Sequence, residues 1–182
     1  MRPKNENGRG ITIYCYSCAE DAPITLIDKI GEAPYWTDCR GFRDPHFDKT
    51  MFNAWHDGRH DDMMMQLVYH PQFGKLLSKI KNFVTSSVAA EEKTITLAVW
   101  CKHGRNRSVS GAELFGRVLM SVLHLSKVKI QHLTEEQNTW HWPYCHECNY
   151  PELKYVNGVI DQWTNTRRRM PIPAAQTYER GP

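Results

Sequence analysis

Residues 94–108 read Thr-Ile-Thr-Leu-Ala-Val-Trp-Cys-Lys-His-Gly-Arg-Asn-Arg-Ser, and this stretch decides the fold. Its first seven residues are almost continuously apolar, which is typical of a strand covered on both faces of a sheet. An apolar helix is predicted from about Val109 to Leu123, and alternating residues over Val128–Leu133 predict a further strand. Strand, helix and strand in this order form a βαβ unit, so we expect a single α/β domain with flanking helices and a mostly parallel or mixed sheet.

The segments on either side fit the same domain. β-Branched and aromatic residues predict a strand over 11–16, and residues 35–40 are a second possible strand. Apolar residues at helical spacing predict helices over 61–69 and 71–84, and Pro71 suits the first turn of the second one. A last helix is expected over 151–163, after a segment rich in Trp and Cys.

Composition limits the class of protein. The chain has 182 residues, of which 41% are hydrophobic and 24% charged, so it suits one domain and is too apolar to be disordered throughout. No run approaches the ~18 apolar residues of a membrane span, and the polar N-terminus shows no secretory signal. The formal net charge of +3 is too small to indicate nucleic-acid binding by itself. We expect a domain without a membrane partner, in the cytoplasm or another reducing intracellular compartment.

Three regions are expected along the chain. Residues 1–10 form a flexible N-terminus, residues 11–165 the α/β domain, and residues 166–182 a basic tail that contains proline. Within the domain, residues 134–165 form the extension rich in Trp and Cys. Arg167–Arg169 make the tail either a solvated end or a contact to RNA phosphates. A homo-oligomer is compatible with the sequence.

The loop between the central strand and the next helix, Cys101-x5-Arg107-Ser108, is the predicted functional site. Backbone N–H groups at the carboxyl end of a parallel strand point toward the positive end of the following helix, which favours an anion. Gly104 permits close approach of the backbone, and Arg107 supplies a planar fork for two phosphate oxygens. Ser108 adds a hydroxyl at the start of the helix, so the loop predicts a cradle for phosphate.

A cysteine-dependent phosphatase is one alternative. The helix terminus and Arg107 would favour the thiolate form of Cys101, which would then act as the nucleophile, with Ser108 helping it to leave. Such an enzyme also needs a carboxylic acid for the leaving oxygen. No pattern selects among the candidates, which are Asp38, Asp44 and Asp48.

Two features of the loop favour binding over turnover. Trp100 stands where those phosphatases usually carry a histidine. Lys102, His103 and Arg105 crowd the loop with additional positive charge. A third alternative is a non-catalytic interaction module that merely keeps this loop.

Several motifs follow one another over about residues 11–133, namely Asp38-Cys-Arg40, Gly58-Arg-His-Asp61, the helix from Pro71, Cys101-Lys-His-Gly-Arg-Asn-Arg-Ser-Val109 and His132. In their order and spacing they resemble the C-terminal domain of the RapZ family of bacterial RNase adapter proteins. The resemblance implies a compact α/β domain that binds phosphorylated ligands without hydrolysing them. In the bacterial proteins these ligands are an amino-sugar phosphate and small regulatory RNA.

By position, the resemblance also implies a set of ligand-binding residues. The loop would contribute Lys102, His103, Gly104, Asn106, Arg107 and Ser108, with Asp38 and Arg40 as nearby supports. Arg105 completes the candidate set within the loop. The expected partner is therefore a phosphorylated small molecule, such as a sugar phosphate or nucleotide, or RNA.

A structural zinc site is a separate prediction, based on two Cys-x-x-Cys pairs. Cys15 and Cys18 follow the first predicted strand, and Cys145 and Cys148 follow the last. Because the carboxyl ends of parallel strands open on one edge of a sheet, the four thiolates could converge on one ion. The histidines able to replace a thiolate are His132, His141 and His146. The alternative is that these cysteines are buried free thiols.

Overall fold

The computed structural model describes residues 11–20, 34–42, 56–123, 127–133, 148 and 154–164. Within these residues the chain forms four strands and four helices. In chain order they are β1 (Thr12–Ala19), β2 (Tyr35–Asp38), α1 (Asp61–Val68), α2 (Phe73–Ala89), β3 (Thr94–Cys101), α3 (Arg107–Leu123), β4 (Val128–His132) and α4 (Lys154–Thr164). They form a single α/β domain, as the sequence predicts.

The four strands form one sheet in the order β2-β3-β1-β4, and all neighbouring strands are parallel. The central pair is long, because all eight residues of β1 pair with β3, from Thr12 beside Thr94 to Ala19 beside Cys101. Since β1 lies between β3 and β4, helix α3 crosses over β1 instead of joining adjacent strands. The prediction of a parallel or mixed sheet is confirmed in its parallel form, and all four strands end at one edge.

Alternation along the strands separates the two faces of the sheet. On one face, Ile13 of β1 and Leu97 and Val99 of β3 join apolar residues from all four helices in one large cluster. On the other face, a smaller cluster includes Tyr16 and Ala98 and contains no residue of those helices. The hydrophobic burial that holds the described helices to the sheet therefore lies on a single face.

Helix α3 lies close to the sheet because two of its residues are glycines. A Cβ atom added at Gly111 would come within 2.8 Å of Val99 Cγ1, and one at Gly116 within 2.6 Å of Ile130 Cγ1. A close-packed interior leaves no space for such atoms. The two glycines thus set the distance between α3 and the strands, and with it the position of the loop before α3.

Two elements differ most in their bounds from the sequence prediction. β1 continues to Ala19 rather than residue 16, because β3 supplies hydrogen-bond partners along its whole length. Helix α2 begins at Phe73 with Gln72 as its N-cap and continues to Ala89, so Pro71 precedes the helix rather than lying in its first turn. Among the described helices, none combines the length and the apolar character needed to cross a membrane.

Candidate functional site at the carboxyl edge of the sheet

The predicted loop lies at the carboxyl edge of the sheet. β3 ends at Cys101 and α3 begins at Arg107, so residues 102–106 lie next to the ends of β2 and β1, the two neighbours of β3. Ligands of open parallel sheets bind outside the carboxyl ends of the strands, where loops and helix N-termini come together. The loop therefore occupies the position that a ligand site in this type of fold requires.

A tight turn shapes the loop. Gly104 is buried and has a φ of 67°, in the left-handed region that favours glycine. Lys102 and His103 precede it and are exposed to solvent, whereas the side chain of Asn106 is buried. The turn thus leaves two basic side chains at the surface and a polar one inside, directly before the helix.

The thiol of Cys101 lies beneath this loop. The residue is 2% exposed, and its Sγ donates a hydrogen bond to Ser108 Oγ over 3.2 Å. In this conformation the sulfur is a buried hydrogen-bond donor.

Gly58 brings a second segment against the loop. A Cβ at this position would lie 2.0 Å from the carbonyl oxygen of Asn106 and 2.6 Å from the amide nitrogen of Ser110. Its own N–H donates to Arg105 O at 3.1 Å, and Ser110 Oγ donates to Gly58 O at 2.6 Å. Arg105 Nη2 also donates to His56 O at 3.1 Å. Residues 56–58 therefore form one wall of the loop, held by backbone contacts that only glycine allows.

Arg107 connects the loop to the segment after β2. Its Nη1 donates hydrogen bonds to Arg40 O at 2.9 Å and to Phe42 O at 3.0 Å. These two contacts hold the guanidinium group beside the end of β2. They also bring Arg107 close to the Asp38–Arg40 segment, which the sequence assigned to the same site.

Asp38 and Arg40 form an exposed charged pair at this edge. Arg40 Nη2 lies 2.9 Å from Asp38 Oδ2, its Nη1 lies 2.5 Å from Glu20 Oε1, and its guanidinium carbon lies 4.0 Å from the centre of the Trp100 ring. Partial burial raises the pKa of Asp38, but hydrogen bonds from Arg40 and the charges of Arg40 and Arg107 outweigh it, so the pKa lies below its ordinary value. The carboxylate is therefore ionised at neutral pH.

A buried ion pair fixes the turn at Gly58. Asp57 is fully buried and accepts hydrogen bonds from the backbone N–H and the guanidinium group of Arg59, which is itself almost completely buried. Removing one partner of such a pair leaves a buried charge without compensation. The pair thus supports the wall of the loop from inside.

A second buried group of polar side chains lies between β1, β4 and α3, near the end of the sheet edge that is formed by β1 and β4. Ser17 Oγ lies 2.8 Å from His132 Nδ1, and His132 Nε2 lies 3.1 Å from Glu113 Oε1. Arg117 Nε completes the chain by donating to Glu113 Oε2 at 2.8 Å. Ser17, His132 and Glu113 are all buried.

The carboxylate of Glu113 is the centre of that assembly. Burial raises its pKa, but hydrogen bonds and positive charge from His132 and Arg117 outweigh the burial, so its pKa lies below the ordinary value. The resemblance drew attention to His132 alone, and neither Ser17 nor Glu113 was predicted. The available signal was a glutamate within the apolar stretch of α3, four residues before an arginine.

An open groove extends from the candidate site along α2. Its volume is ≈ 280 Å³, and it is lined by Asp38, Phe42, Gln72, Lys75, Leu76 and Lys79. Both lysines are exposed. The groove starts at Asp38 and Phe42, which also flank the contacts of Arg107.

The structure places Cys15 and Cys18 on opposite faces of the sheet. Both residues lie within β1, where Cys15 belongs to the large cluster and Cys18 to the smaller cluster on the opposite face. Burial raises the pKa of the Cys15 thiol, and its Sγ donates to Ala112 O at 3.4 Å. Both thiols are buried, and their position on opposite faces of the strand does not favour binding of one ion by the pair.

The second cysteine pair is described only in part. Cys148 is fully buried, and its Sγ lies 3.8 Å from His56 Nδ1, while Cys145 lies outside the described residues. In the described part of the chain, no group of three or more His, Cys, Asp or Glu side chains could hold a metal ion. The four-thiolate site is therefore not confirmed by the described residues.

The described residues bring most of the predicted site together. The loop from Lys102 to Ser108 lies beside Asp38 and Arg40, through the contacts of Arg107. Other predicted residues lie outside the described ones, namely Asp44, Asp48, His141, His146 and Arg167–Arg169. Within the wall formed by residues 56–58, the sequence analysis named only Gly58, as part of the Gly58-Arg-His-Asp61 motif of the resemblance.

Fold and site define a class: a parallel α/β domain with a basic loop ahead of a helix at the carboxyl edge of its sheet. Residues 11–136 match the RapZ C-terminal domain family, and the chain belongs to this family. The chain is also 27% identical over 143 residues to a nucleotide-binding protein of Gluconobacter oxydans (strain 621H). That alignment covers 74% of the chain but 42% of the relative.

Proposed function

We propose that the chain binds a phosphorylated ligand, with a nucleotide as the favoured class, at residues 102–106 and the N-terminus of α3. The observation that carries the proposal is the left-handed turn at Gly104, which lies at the carboxyl edge of a parallel sheet directly before a helix of 17 residues. The first amide groups of such a helix have no partners within the helix, and its dipole favours negative charge. The nucleotide-binding relative supports the same class of ligand.

Basic side chains surround this helix terminus. Lys102 and His103 are exposed beside the turn, and Arg107 lies within the first turn of the helix. Charge-assisted hydrogen bonds from such groups to phosphate are shorter and stronger than neutral ones. The phosphate of the ligand is therefore assigned to this end of the site.

Asn106 offers an acceptor next to these donors. Its side chain is buried, and its Oδ1 accepts no hydrogen bond from the described residues. A buried acceptor without a partner costs free energy, so a hydroxyl or amino hydrogen of the ligand is a suitable partner for it. A sugar phosphate or a nucleotide carries both groups, an anion and a hydroxyl donor.

The groove along α2 provides space for the rest of the ligand. It starts where Arg107 contacts the carbonyl group of Phe42 and continues past Lys75 and Lys79. Its lining combines the apolar side chains of Phe42 and Leu76 with these two ammonium groups. This mixture suits a base or sugar that carries further phosphate groups.

Calorimetric titration with a 5′-mononucleotide and with the matching nucleoside tests the proposal. We expect the nucleoside to bind at least about tenfold more weakly, because it lacks the group that the helix terminus and loop would hold. The double variant Lys102→Ala/His103→Ala should weaken nucleotide binding and reduce its dependence on salt. The matched control is Lys93→Ala, at an exposed position near the amino end of β3. Equal affinity for nucleotide and nucleoside would contradict the proposal.

The phosphatase alternative is tested with the same protein. The contact of Cys101 Sγ with Ser108 Oγ is the observation that favours this alternative. Hydrolysis of an aryl phosphate by the reduced protein, lost in Cys101→Ser, would replace the binding proposal with an enzyme. We expect no turnover and nearly unchanged nucleotide affinity in Cys101→Ser, because the buried sulfur lies beneath the loop.

A further inference from the structure

We infer that Cys39 and Cys101 are a site of oxidative modification, at which hydrogen peroxide converts the two thiols into a disulfide. Cys39 directly follows β2, and Cys101 is the last residue of β3. The observation that carries the inference is the hydrogen bond that Cys39 N donates to Trp100 O over 2.9 Å. This bond extends the parallel register of β2 and β3 by one residue, so Cys39 lies opposite Cys101.

The spacing of the two strands suits a disulfide. Neighbouring strands lie about 4.7–4.9 Å apart, and the Cα atoms of a disulfide usually lie about 4.4–6.8 Å apart. Its Cβ atoms usually lie about 3.5–4.5 Å apart, so the two strand ends need to approach each other only slightly. Both cysteines are free thiols in the structure, and they lie where the two strands end.

The two side chains also face the same part of helix α3. Both belong to the large cluster that joins the sheet to the helices. Cys101 Sγ donates to Ser108 Oγ, and a Cβ atom added at Gly111 would lie 3.5 Å from Cys39 Sγ. Positions 108 and 111 are neighbours on one helix face, because they are three residues apart. The two sulfur atoms therefore lie on the same face of the sheet, beneath the first turns of α3.

The register of the sheet disfavours other pairings among cysteines of the strands. Cys15 lies beside Leu97, four residues before Cys101 along β3. At about 3.3 Å per residue, this is far beyond the reach of a disulfide to Cys101. Cys18 lies in the smaller cluster on the opposite face. The structure thus brings Cys39 and Cys101 together as one specific pair.

The two thiols have different parts in the reaction. Cys101 lies next to the exposed residues of the loop, and its thiolate attacks one peroxide oxygen, which gives a sulfenic acid and hydroxide. Burial raises the pKa of the Cys39 thiol, and the neighbouring Cys101 raises it further, so Cys39 remains protonated at this stage. The Cys39 sulfur then attacks the sulfenic sulfur, and its proton leaves with the hydroxyl group as water. Overall, two thiols and one peroxide give one disulfide and two waters.

The disulfide would change the base of the candidate ligand loop. It would replace the hydrogen bond from Cys101 Sγ to Ser108 Oγ, at the N-terminus of α3. It would also join β3 covalently to the segment after β2, whose carbonyl groups at Arg40 and Phe42 hold Arg107. Oxidation would therefore act where the loop and its neighbouring segment meet.

Peptide mapping of the reduced full chain after treatment with hydrogen peroxide tests the inference. Free thiols are then alkylated, and the chain is digested with trypsin without reduction. We expect a disulfide between the tryptic peptides 30–40 and 94–102, which carry Cys39 and Cys101, and dithiothreitol should separate them. In Cys39→Ser, the same dose should convert Cys101 to the sulfinic acid, because the second thiol is absent. The matched control is Cys18→Ser, at another fully buried cysteine, which should keep the linked peptides.

The wild-type chain alone can decide against the inference, so the result does not depend on the folding of a variant. One contradicting result is Cys101 oxidised to the sulfinic acid while Cys39 stays a free thiol. Another is the absence of the linked peptides at a peroxide dose that already oxidises methionine residues of the same chain. A disulfide that joins Cys39 or Cys101 to a different cysteine instead would also refute the pair.

Discussion

Two charged assemblies lie near the carboxyl edge of the sheet, and they differ in exposure. At the β2 end, Asp38 and Arg40 pair at the surface, where nearly half of each side chain is exposed. At the other end, Ser17, His132 and Glu113 form a chain of hydrogen bonds that is almost completely buried.

The difference in exposure indicates which charged groups can contact a ligand and which stabilise the fold. Exposed ion pairs contribute little to stability, since water and salt screen them, so their charges are available for binding. Buried charges lose that solvent and must keep their partners, so they act mainly on stability. We therefore propose that ligand binding involves the β2 and β3 end of the edge, whereas the β1 and β4 end supports α3.

The largest effect on the free energy of unfolding is expected at Gly58, where residues 56–58 pack against the loop before α3. Gly58→Ala should destabilise the protein by about 3 kcal/mol or more, because the added Cβ meets backbone atoms at 2.0 and 2.6 Å that cannot move aside. Denaturant unfolding measures this loss. Gly74→Ala is the control, since its Cβ would meet only the end of the Gln162 side chain at 3.2 Å. Equal stability of the two variants would show that residues 56–58 do not support the loop.

A smaller loss is expected at the centre of the buried assembly. Glu113→Gln should lower stability by about 2–3 kcal/mol, because the carboxylate loses charge-assisted hydrogen bonds to His132 and Arg117. Unfolding measured over a pH series checks both the loss and its origin.

The pH dependence of that loss follows from the lowered pKa of Glu113. The unfolded carboxyl has its ordinary value of 4.5, and the folded value is lower. The contribution is therefore complete above pH 4.5 and is lost as the pH falls through the folded pKa. Glu113→Gln should lack this part of the acid destabilisation. If the stability of the variant fell with acid in the same way as that of the wild type, Glu113 would not be the source of this pH dependence.

At the β2 end of the edge, substitutions should mainly change the affinity for a nucleotide. Arg107→Ala should weaken binding of a 5′-mononucleotide by about 1.5–3 kcal/mol, the range for hydrogen bonds to charged groups. Arg107→Lys should recover only part of this, because a lysine keeps the charge but not the planar fork. Calorimetry gives both values, and unchanged affinity in the Ala variant would move the ligand site elsewhere.

The smallest effect on stability is expected at the exposed pair. Arg40→Ala should leave the denaturation midpoint unchanged, since the pair with Asp38 is screened by solvent. It should still change the fluorescence of Trp100, because the guanidinium group lies over that ring. A loss of stability similar to that of Glu113→Gln would show that the exposed pair stabilises the fold as much as the buried group does.

Much of the fold was predictable from periodicity. The apolar run ending at Trp100 and the helix that follows it predicted β3 and α3, because these patterns depend on local residue order. The placement of β1 between β3 and β4 was not predictable in the same way, since strand order depends on long-range pairing. The extent of β1 also depended on its partner strand.

The candidate site was predictable to a lesser degree. The loop and the Asp38–Arg40 segment were proposed from motif order, and Arg107 does join them. The role of Gly58 as a close contact to Asn106 was not visible, because a glycine in sequence does not show what its missing side chain would meet. The zinc hypothesis paired Cys15 with Cys18, but the strand that contains both was not predicted to extend beyond residue 16, and a three-residue spacing within a strand puts two side chains on opposite faces.

The sequence by itself determined the class of fold, the family and the location of a basic, glycine-containing loop before a helix. These properties depend on the local order of residues, which sets strand, helix and turn preferences. Only the tertiary structure decided which distant residues meet, as His56 meets Cys148 and Ser17 meets His132. The physical reason is that such contacts arise from burial and packing across the whole chain, and sequence spacing does not encode the distance between atoms so far apart along it.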